Sequence, residues 1–143
     1  MKGVCFRKAV NVDIEQIMTI DPLHRGEKIE RAVRNGECYI AEEAAQIVGF
    51  AIMDYAFFEC GFIELLIVAE DCRRRGIGES LLEHLSHCCA TEKLFTSTNE
   101  SNDLMRGLLI KAGFTLCGQI DALDEGDPEL FYVKRKDKSD ESN

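Results

Sequence analysis

An apolar run, a basic turn and an amphipathic segment follow one another over residues 62–89, and this order constrains the fold more than any other feature. The run over residues 62–69 contains one charge, Glu64, and is too short to cross a membrane. It therefore predicts a strand covered on both faces. Beyond the turn, apolar residues recur at helical spacing, at Ile77, Leu81, Leu82, Leu85, Cys88 and Cys89. The sequence thus predicts strand, turn and helix in succession.

The turn has the composition of an anion-binding site. Arg73, Arg74 and Arg75 precede Gly76 and Gly78 in a chain whose formal net charge is -9. A helix N-terminus exposes unpaired N–H groups and a partial positive charge, and glycines let an anion approach the backbone closely. The alternative is a solvated basic turn before an ordinary helix. Agreement among the strand, the turn and the helix favours anion binding.

Two common phosphate-binding motifs do not fit this turn. Glu79 follows Gly78 where a phosphate loop requires Lys-Ser or Lys-Thr, and Leu81 lies where the dinucleotide fingerprint requires a third glycine. The pattern that remains is Arg-x-x-Gly-x-Gly, which begins at Arg73 behind a predicted strand ending in Val68. It resembles the acetyl-CoA signature of the GNAT family of N-acetyltransferases.

A later segment carries the second half of the resemblance. Asn102, Met105, Gly113 and Phe114 fall at the offsets that this family often shows in a following helix, and Leu109 takes the place of a tyrosine. The stretches TSTNESN and DEGDPELFY also resemble a bacterial branch of the family. The resemblance covers most of the chain and implies direct transfer of an acetyl group from acetyl-CoA to an amine.

The resemblance also implies positions for the site. Backbone donors for the thioester carbonyl are expected at Ile67 and Val68, with Leu66 alongside, and Asn102 is expected to touch the pantetheine arm. The pyrophosphate is expected on the amides of residues 74–79. The complete set of expected cofactor-binding residues is Leu66, Ile67, Val68, Arg73, Arg74, Arg75, Gly76, Ile77, Gly78, Glu79 and Asn102.

Proton transfer requires further groups, because an amine is protonated at pH 7 and cannot attack until a base removes a proton. Glu64 is the candidate base, since desolvation in an apolar strand raises a carboxyl pKa. The alternative is a structural Glu64 paired with a nearby lysine or arginine. Ser97 stands where some relatives place a glutamate. Leu109 cannot serve as the acid. Tyr55 and Tyr132 are better explained as packing residues, and the thiol, with a pKa of about 8.5, can leave unassisted.

The remaining patterns predict a mixed sheet with helices on its faces, an α/β fold of about six or seven strands and about four helices. Asp13 is expected to cap a first helix that Asp21-Pro22 breaks, and Gly49 indicates a bulge or close approach. Strands are predicted at residues 4–10, 38–42, 46–55, 93–98, 114–120 and 130–134, with helices at 27–34 and from Ser101 or Asn102 to 112 and an aromatic loop at 55–60.

Length and charge limit the remaining possibilities. The 143 residues suit one domain, 1–135, followed by a polar tail, 136–143. The sequence has no apolar run of about 20 residues, which a membrane span requires. It also has no hydrophobic region after its first lysines, as a secretory signal would have. Both observations predict a cytoplasmic protein without a membrane partner. The acidic balance argues against nucleic acid and suits a cationic substrate. The seven cysteines and three histidines show no metal-binding spacing. A homodimer, and a non-catalytic acyl-CoA-binding module, remain open.

Overall fold

The computed structural model describes residues 2–136. Its strands and helices alternate in an order typical of a mixed α/β domain. In chain order they are β1 (Val4–Lys8), α1 (Ile14–Ile20), α2 (Gly26–Arg34), β2 (Cys38–Glu43), β3 (Gln46–Phe57), β4 (Cys60–Val68), α3 (Ile77–Cys88), β5 (Lys93–Asn99), α4 (Asp103–Lys111), β6 (Thr115–Ile120) and β7 (Glu129–Arg135).

The seven strands form one sheet in the order β1-β2-β3-β4-β5-β7-β6. Every neighbouring pair is antiparallel except β4 and β5, which are parallel. A parallel pair requires a crossover connection, and α3 supplies it. The predicted mixed sheet with helices on its faces is confirmed.

Apolar clusters on the two faces of the sheet hold the helices in place. On one face, Ile17 of α1 and Ile29 of α2 pack with Phe50 and Ile52 of β3, and all four are at most 1% exposed. On the other face, α3 and α4 pack over the sheet through Leu81, Leu82, Leu85, Leu109 and Tyr132. Burial of this apolar surface is the main source of stability.

The sheet is open in its middle. β4 pairs with β5 at only three positions, and the last of these joins Ile63 to Thr96. The Thr96 hydroxyl donates to the Ile63 carbonyl oxygen at 2.9 Å, at the point where pairing ends. Beyond it the strands separate, so residues 65–68 are half-buried instead of covered on both faces as predicted.

The register between β3 and β4 shifts at the same level. Ile52 faces Leu65 and Met53 faces Ile63, which leaves Glu64 as the extra residue of a β-bulge. Bulges redirect side chains and are frequent next to active sites. This bulge turns Glu64 toward α2, where Lys28 meets its carboxylate.

The structure decides three smaller predictions, at residues 55–60, Gly49 and Asp13. The aromatic loop predicted at residues 55–60 is wrong, because β3 continues to Phe57 and Phe58 and Glu59 form a tight turn with φ of +52° and +62°. At Gly49 the backbones of β3 and β4 approach each other closely, since a Cβ there would lie 3.2 Å from the Ile67 carbonyl oxygen. Asp13 precedes α1, but its side chain accepts the Val10 N–H at 2.7 Å and caps no helical amide.

Some predictions lie at or beyond the limits of the described residues. Of the polar tail predicted at 136–143, only Lys136 is described, and its N–H donates to the Glu92 carbonyl oxygen at 2.8 Å. Residues 137–143 lie outside the described range. The single domain over 1–135 and the homodimer stay predictions. No helix within residues 2–136 is long and apolar enough to cross a membrane.

Candidate active site

A groove of about 770 Å³ lies where β4 leaves the sheet, between the start of α3 and one side of α4. It contains the basic turn at one end and apolar side chains of α4 along one wall. Of the predicted cofactor-binding residues, those that line it are Leu66, Ile67, Val68, Arg73, Arg74, Gly76, Ile77, Gly78, Glu79 and Asn102.

The two glycines of the turn have different structural roles. Gly76 precedes α3 with a φ of +81°, a left-handed conformation that favours glycine, and a Cβ there would meet nothing within 4 Å. A Cβ on Gly78 would lie 3.0 Å from Leu108 Cδ2, so this glycine lets α4 approach α3. The groove is therefore open at Gly76, next to a close contact between α3 and α4 at Gly78.

The three arginines do not act together. Arg73 Nε donates to the Val68 carbonyl oxygen at 3.2 Å, which ties the turn to the end of β4. Arg75 forms two hydrogen bonds with Glu43 of β2, at 3.0 and 2.6 Å, and does not line the groove. Arg75 was predicted to bind the cofactor, but its side chain lies outside the groove. Arg73 and Arg74 remain at the groove.

The alternation of β4 decides which backbone groups face the opening. The Ala69 N–H donates to the Val48 carbonyl oxygen of β3 at 2.8 Å. Successive amides of a strand point in opposite directions, so the N–H groups of Val68 and Leu66 point away from β3, into the gap left by β5. Ile67, which pairs with Phe50, directs its amide toward β3. Leu66 and Val68 are therefore the better-placed donors.

Helix α4 presents one side to the groove and another to the core. Asn102 begins it, with Oδ1 accepting the Met105 N–H at 3.1 Å, and also lines the groove. Leu104, Met105 and Leu108 are the apolar residues on the groove side. Leu109 does not line the groove and is fully buried against the core. The residue at the family's tyrosine position therefore faces the core and not the groove.

Neither candidate tyrosine lines the groove. Tyr132 is 2% exposed in the core, with Arg106 Nε 3.4 Å from its hydroxyl oxygen. Tyr55 accepts the Ala90 N–H at 3.0 Å, beyond the C-terminal end of α3. The position of Tyr132 agrees with the packing role expected from the sequence, whereas Tyr55 is 40% exposed and contacts the residues after α3 through this hydrogen bond.

Glu64 lies on the sheet face that carries α2. Its Oε1 is 3.1 Å from Lys28 Nζ, which is the structural pairing considered from the sequence. Its pKa is nevertheless raised, first by the neighbouring Asp54 carboxylate and then by burial, while Lys28 opposes the shift. Glu64 is thus an ion-pair partner with a raised proton affinity, and both interpretations describe part of its environment.

Asp54 and Lys28 are site residues that sequence reasoning missed. Asp54 reaches Glu64 because the β3–β4 register pairs Asp54 with Phe62, two residues before Glu64. Lys28 reaches it because α2 packs over the same face. Neither contact has a local sequence signal, since both depend on pairing across the fold.

The groove fits acetyl-CoA in its chemistry. That molecule carries an anionic pyrophosphate and a long, largely apolar arm. The turn offers helix amides, Arg73 and Arg74 for the anion, and Met105 and Leu108 wall the rest of the groove. Gly76 leaves open the space that any side chain would occupy.

Comparison with known proteins agrees with this geometry. Residues 34–116 match the model of the acetyltransferase (GNAT) domain. A GNAT-family acetyltransferase from Bacillus cereus ATCC 10987 is 36% identical, over 94% of this chain and 99% of that one, with a TM-score of 0.90. A putative streptothricin acetyltransferase from Bacillus anthracis, solved with acetyl coenzyme A, has the same fold with a TM-score of 0.65 at 20% identity, over 70% of this chain and 62% of that one.

One curated relative is a 5-NmdU N-acetyltransferase from the Pseudomonas phage PaMx11. It is 26% identical over 91 residues, which are 63% of this chain and 65% of that protein. The match thus spans somewhat less than two thirds of the relative's length.

A mixed sheet that opens beside a glycine-bearing turn is the architecture expected of an acetyltransferase domain. The chain belongs to the GNAT family of acetyltransferases. The family, the enzyme class and the co-substrate predicted from the sequence are confirmed.

Proposed function

We propose that this protein transfers the acetyl group of acetyl-CoA to a primary amine by direct attack. One observation carries the proposal: β4 and β5 stop pairing at Ile63 and Thr96, next to the groove. This opening exposes backbone donors of β4 to the groove on one side and lies close to Glu64 on the other. The name of the phage relative, an N-acetyltransferase, supports the same reaction type.

The binding residues follow from the groove. The amides of residues 74–79 hold the pyrophosphate, and Arg73 and Arg74 add positive charge. Met105, Leu108 and the cap residue Asn102 border the arm. Arg75 contributes indirectly, since its bond to Glu43 fixes the turn against β2.

Acetyl-CoA supplies a thioester carbonyl carbon, which forms a C–N bond with the neutral amine while its C–S bond breaks. The N–H groups of Leu66 and Val68 stabilise the negative charge that develops on the carbonyl oxygen, because they are fixed in position by the strand before the reaction begins. An oxyanion donor of this kind contributes about 3 kcal/mol in other enzymes.

Two protons leave the ammonium group during the reaction. Glu64 accepts the first, directly or through water, and this frees the lone pair that attacks. The second leaves the nitrogen as the amide forms, and one proton joins the departing thiolate. Leu109, Tyr55 and Tyr132 lie outside the groove, so the thiolate, with a pKa of about 8.5, leaves unassisted or through water.

The proposal is tested at Gly76. Gly76→Asp places a side chain and a negative charge in the open space over the turn, and we expect calorimetry to show at least about a 100-fold loss of acetyl-CoA affinity. Turnover with an amine panel should be lost in parallel. Following the loss of thioester absorbance avoids interference from the exposed thiols of Cys5, Cys88 and Cys117.

Gly126→Asp is the matched control. Gly126 also has a left-handed φ, +77°, with nothing within 4 Å of a Cβ, so its substitution carries a similar backbone penalty away from the groove. We expect it to keep both binding and turnover. Equal effects of the two substitutions, or an unsubstituted protein that does not bind acetyl-CoA, would refute the proposal.

A further inference from the structure

Four phenylalanine rings form one cluster on the sheet face opposite α3 and α4. The Phe57 ring centroid lies 4.9 Å from that of Phe62, 5.2 Å from Phe95 and 5.8 Å from Phe131. All four residues are partly exposed. The described helices on this face, α1 and α2, pack over β2 and over Ile47, Phe50 and Ile52 of β3. The cluster lies beyond them, at Phe57 where β3 ends and on β4, β5 and β7, and it forms an accessible apolar floor.

The register shows that the strand-borne rings share this face. Phe62 pairs with Phe95 across β4 and β5, and Ser97 pairs with Phe131 across β5 and β7. Directly paired residues lie on the same side of a sheet. Leu94, which alternates with Phe95, is buried in the core under α3 and α4. The phenylalanines therefore lie on the face of the sheet opposite the cluster under α3 and α4.

Carboxylates border this floor. Asp54 pairs with Phe62, and Glu64 follows Phe62 by two residues. Glu129 lies two residues before Phe131 and accepts the Ser97 hydroxyl at 2.7 Å. Among the described ion pairs these three carboxylates have one partner, Lys28 on Glu64. The floor therefore has a net negative border, which attracts a cation.

The floor leads directly to the opening between β4 and β5. Phe62 and Phe95 form the rung next to the last one, which joins Ile63 and Thr96. Glu64 follows immediately on β4, and the amides of Leu66 and Val68 lie farther along the same strand. A flat ring lying on the phenylalanines would thus direct a short substituent past Glu64 into the opening.

We infer that this face binds the acceptor, and that the acceptor is a small primary amine joined by a short linker to a flat apolar ring and free of carboxylate. The inference rests on the proposed acetyl transfer and specifies its substrate. The ring gains aromatic contacts, the ammonium group meets the carboxylate border, and a carboxylate on the same molecule would be repelled by that border.

A matched pair of amines tests the charge requirement. 2-Phenylethylamine and phenylalanine differ only in the carboxylate of the latter, and we expect kcat/KM for 2-phenylethylamine to be at least about tenfold higher. Spermidine supplies cationic amines without a ring, and we expect about fivefold lower kcat/KM than for 2-phenylethylamine because the aromatic contacts are lost.

A substitution tests the floor. Phe131→Leu should raise the KM for 2-phenylethylamine about fivefold and leave the KM for acetyl-CoA unchanged. The matched control is Phe6→Leu, since Phe6 is also half-buried in a strand but stacks on His84 at the other end of the sheet, 5.4 Å between centroids. We expect it to change neither KM.

The outcomes separate the inference from the proposed function. Acetyl transfer that prefers phenylalanine, spermidine or a peptide N-terminus to 2-phenylethylamine overturns the substrate inference and leaves the transferase intact. If no amine is acetylated, the proposed function fails. Calorimetric titration of the protein with 2-phenylethylamine then tests separately whether the phenylalanine face binds an amine. Binding weakened about fivefold by Phe131→Leu but not by Phe6→Leu supports the face as an amine site. Absence of binding overturns it.

Discussion

Glu64 shows how one side chain can satisfy two interpretations of its sequence context. A lone acid in an apolar strand is expected either to be desolvated or to be paired. In this fold Glu64 contacts Lys28 at 3.1 Å and also has a second carboxylate, Asp54, next to it. Hydrogen bonding with Asp54, which favours the protonated form of Glu64, and the partial burial outweigh the lysine, so the pKa of Glu64 is raised.

The opposing neighbours predict opposite shifts in pH dependence. A base works only when deprotonated, so the acid limb of the pH–rate profile follows the pKa of Glu64 and lies above the ordinary glutamate value. Asp54→Asn removes the carboxylate whose hydrogen bond favours the protonated form of Glu64, and it should move that limb to lower pH. Lys28→Met removes the attraction and should move it to higher pH. Both shifts are measured from kcat/KM between about pH 4 and 9.

The control for these shifts is Glu30→Gln, which removes an exposed carboxylate from the outer side of α2. It should leave the acid limb in place. Movement of the limb in the same direction for Asp54→Asn and Lys28→Met, or no movement for either, would show that Glu64 is not the titrating base.

At the scale of elements, the connection between α1 and α2 is held by one buried carboxylate. Asp21 accepts the N–H of Leu23 at 3.2 Å and of Arg25 at 2.7 Å, and its Oδ1 meets Arg25 Nη2 at 2.7 Å. The hydrogen bond from Arg25 is the largest of the effects that lower the Asp21 pKa to about 2. The connection fixes α2, and with it Lys28 over Glu64.

Asp21→Asn should therefore reduce the free energy of unfolding by about 2 kcal/mol at pH 7, as measured by urea denaturation. Because the pKa is lowered in the folded protein, this contribution is complete above the unfolded value of 3.8 and is lost as pH falls toward about 2. The difference between the two proteins should shrink over that range. Asp103→Asn, at a side chain that is 92% exposed, should change stability little at any pH.

The elements also show what the sequence could and could not predict. The order of strand, turn and helix was predictable because apolar periodicity and glycine position are local signals. The turn at Phe58 and Glu59 was not, because neither residue is a usual turn former. Leu109 follows Leu108 by 100° around α4, and the sequence spacing did not reveal which of these sides faces the groove. The contacts of Glu64 depend on strand register, which is a property of the whole sheet.

At the scale of the whole molecule, the amine and acetyl-CoA experience different electrostatic fields. The formal net charge of -9 attracts a protonated amine from a distance and repels an anionic co-substrate. The local charge of Arg73 and Arg74 reverses the field at the turn. The protein thus directs a cation toward one face of the sheet and an anion toward one short segment on the other.

The kcat/KM for a cationic amine should consequently fall as salt screens this attraction, by about threefold between about 0.02 and 0.3 M NaCl. Initial rates at saturating acetyl-CoA measure the effect. KCl should give the same curve if screening is the cause, and an equimolar uncharged osmolyte should give none. A rate constant that does not depend on ionic strength would assign recognition to short-range contacts alone.

The three rungs between β4 and β5 have a consequence for how the molecule holds together. The sheet consists of a four-stranded part and a three-stranded part joined by a short seam, and the backbone groups beyond the seam are left without a strand to bond. Folding therefore ends with part of the sheet's hydrogen bonding unmade. A ligand whose amide-bearing arm enters the gap would take the place of the missing strand, so that the bound co-substrate would fasten the two parts of the sheet to each other.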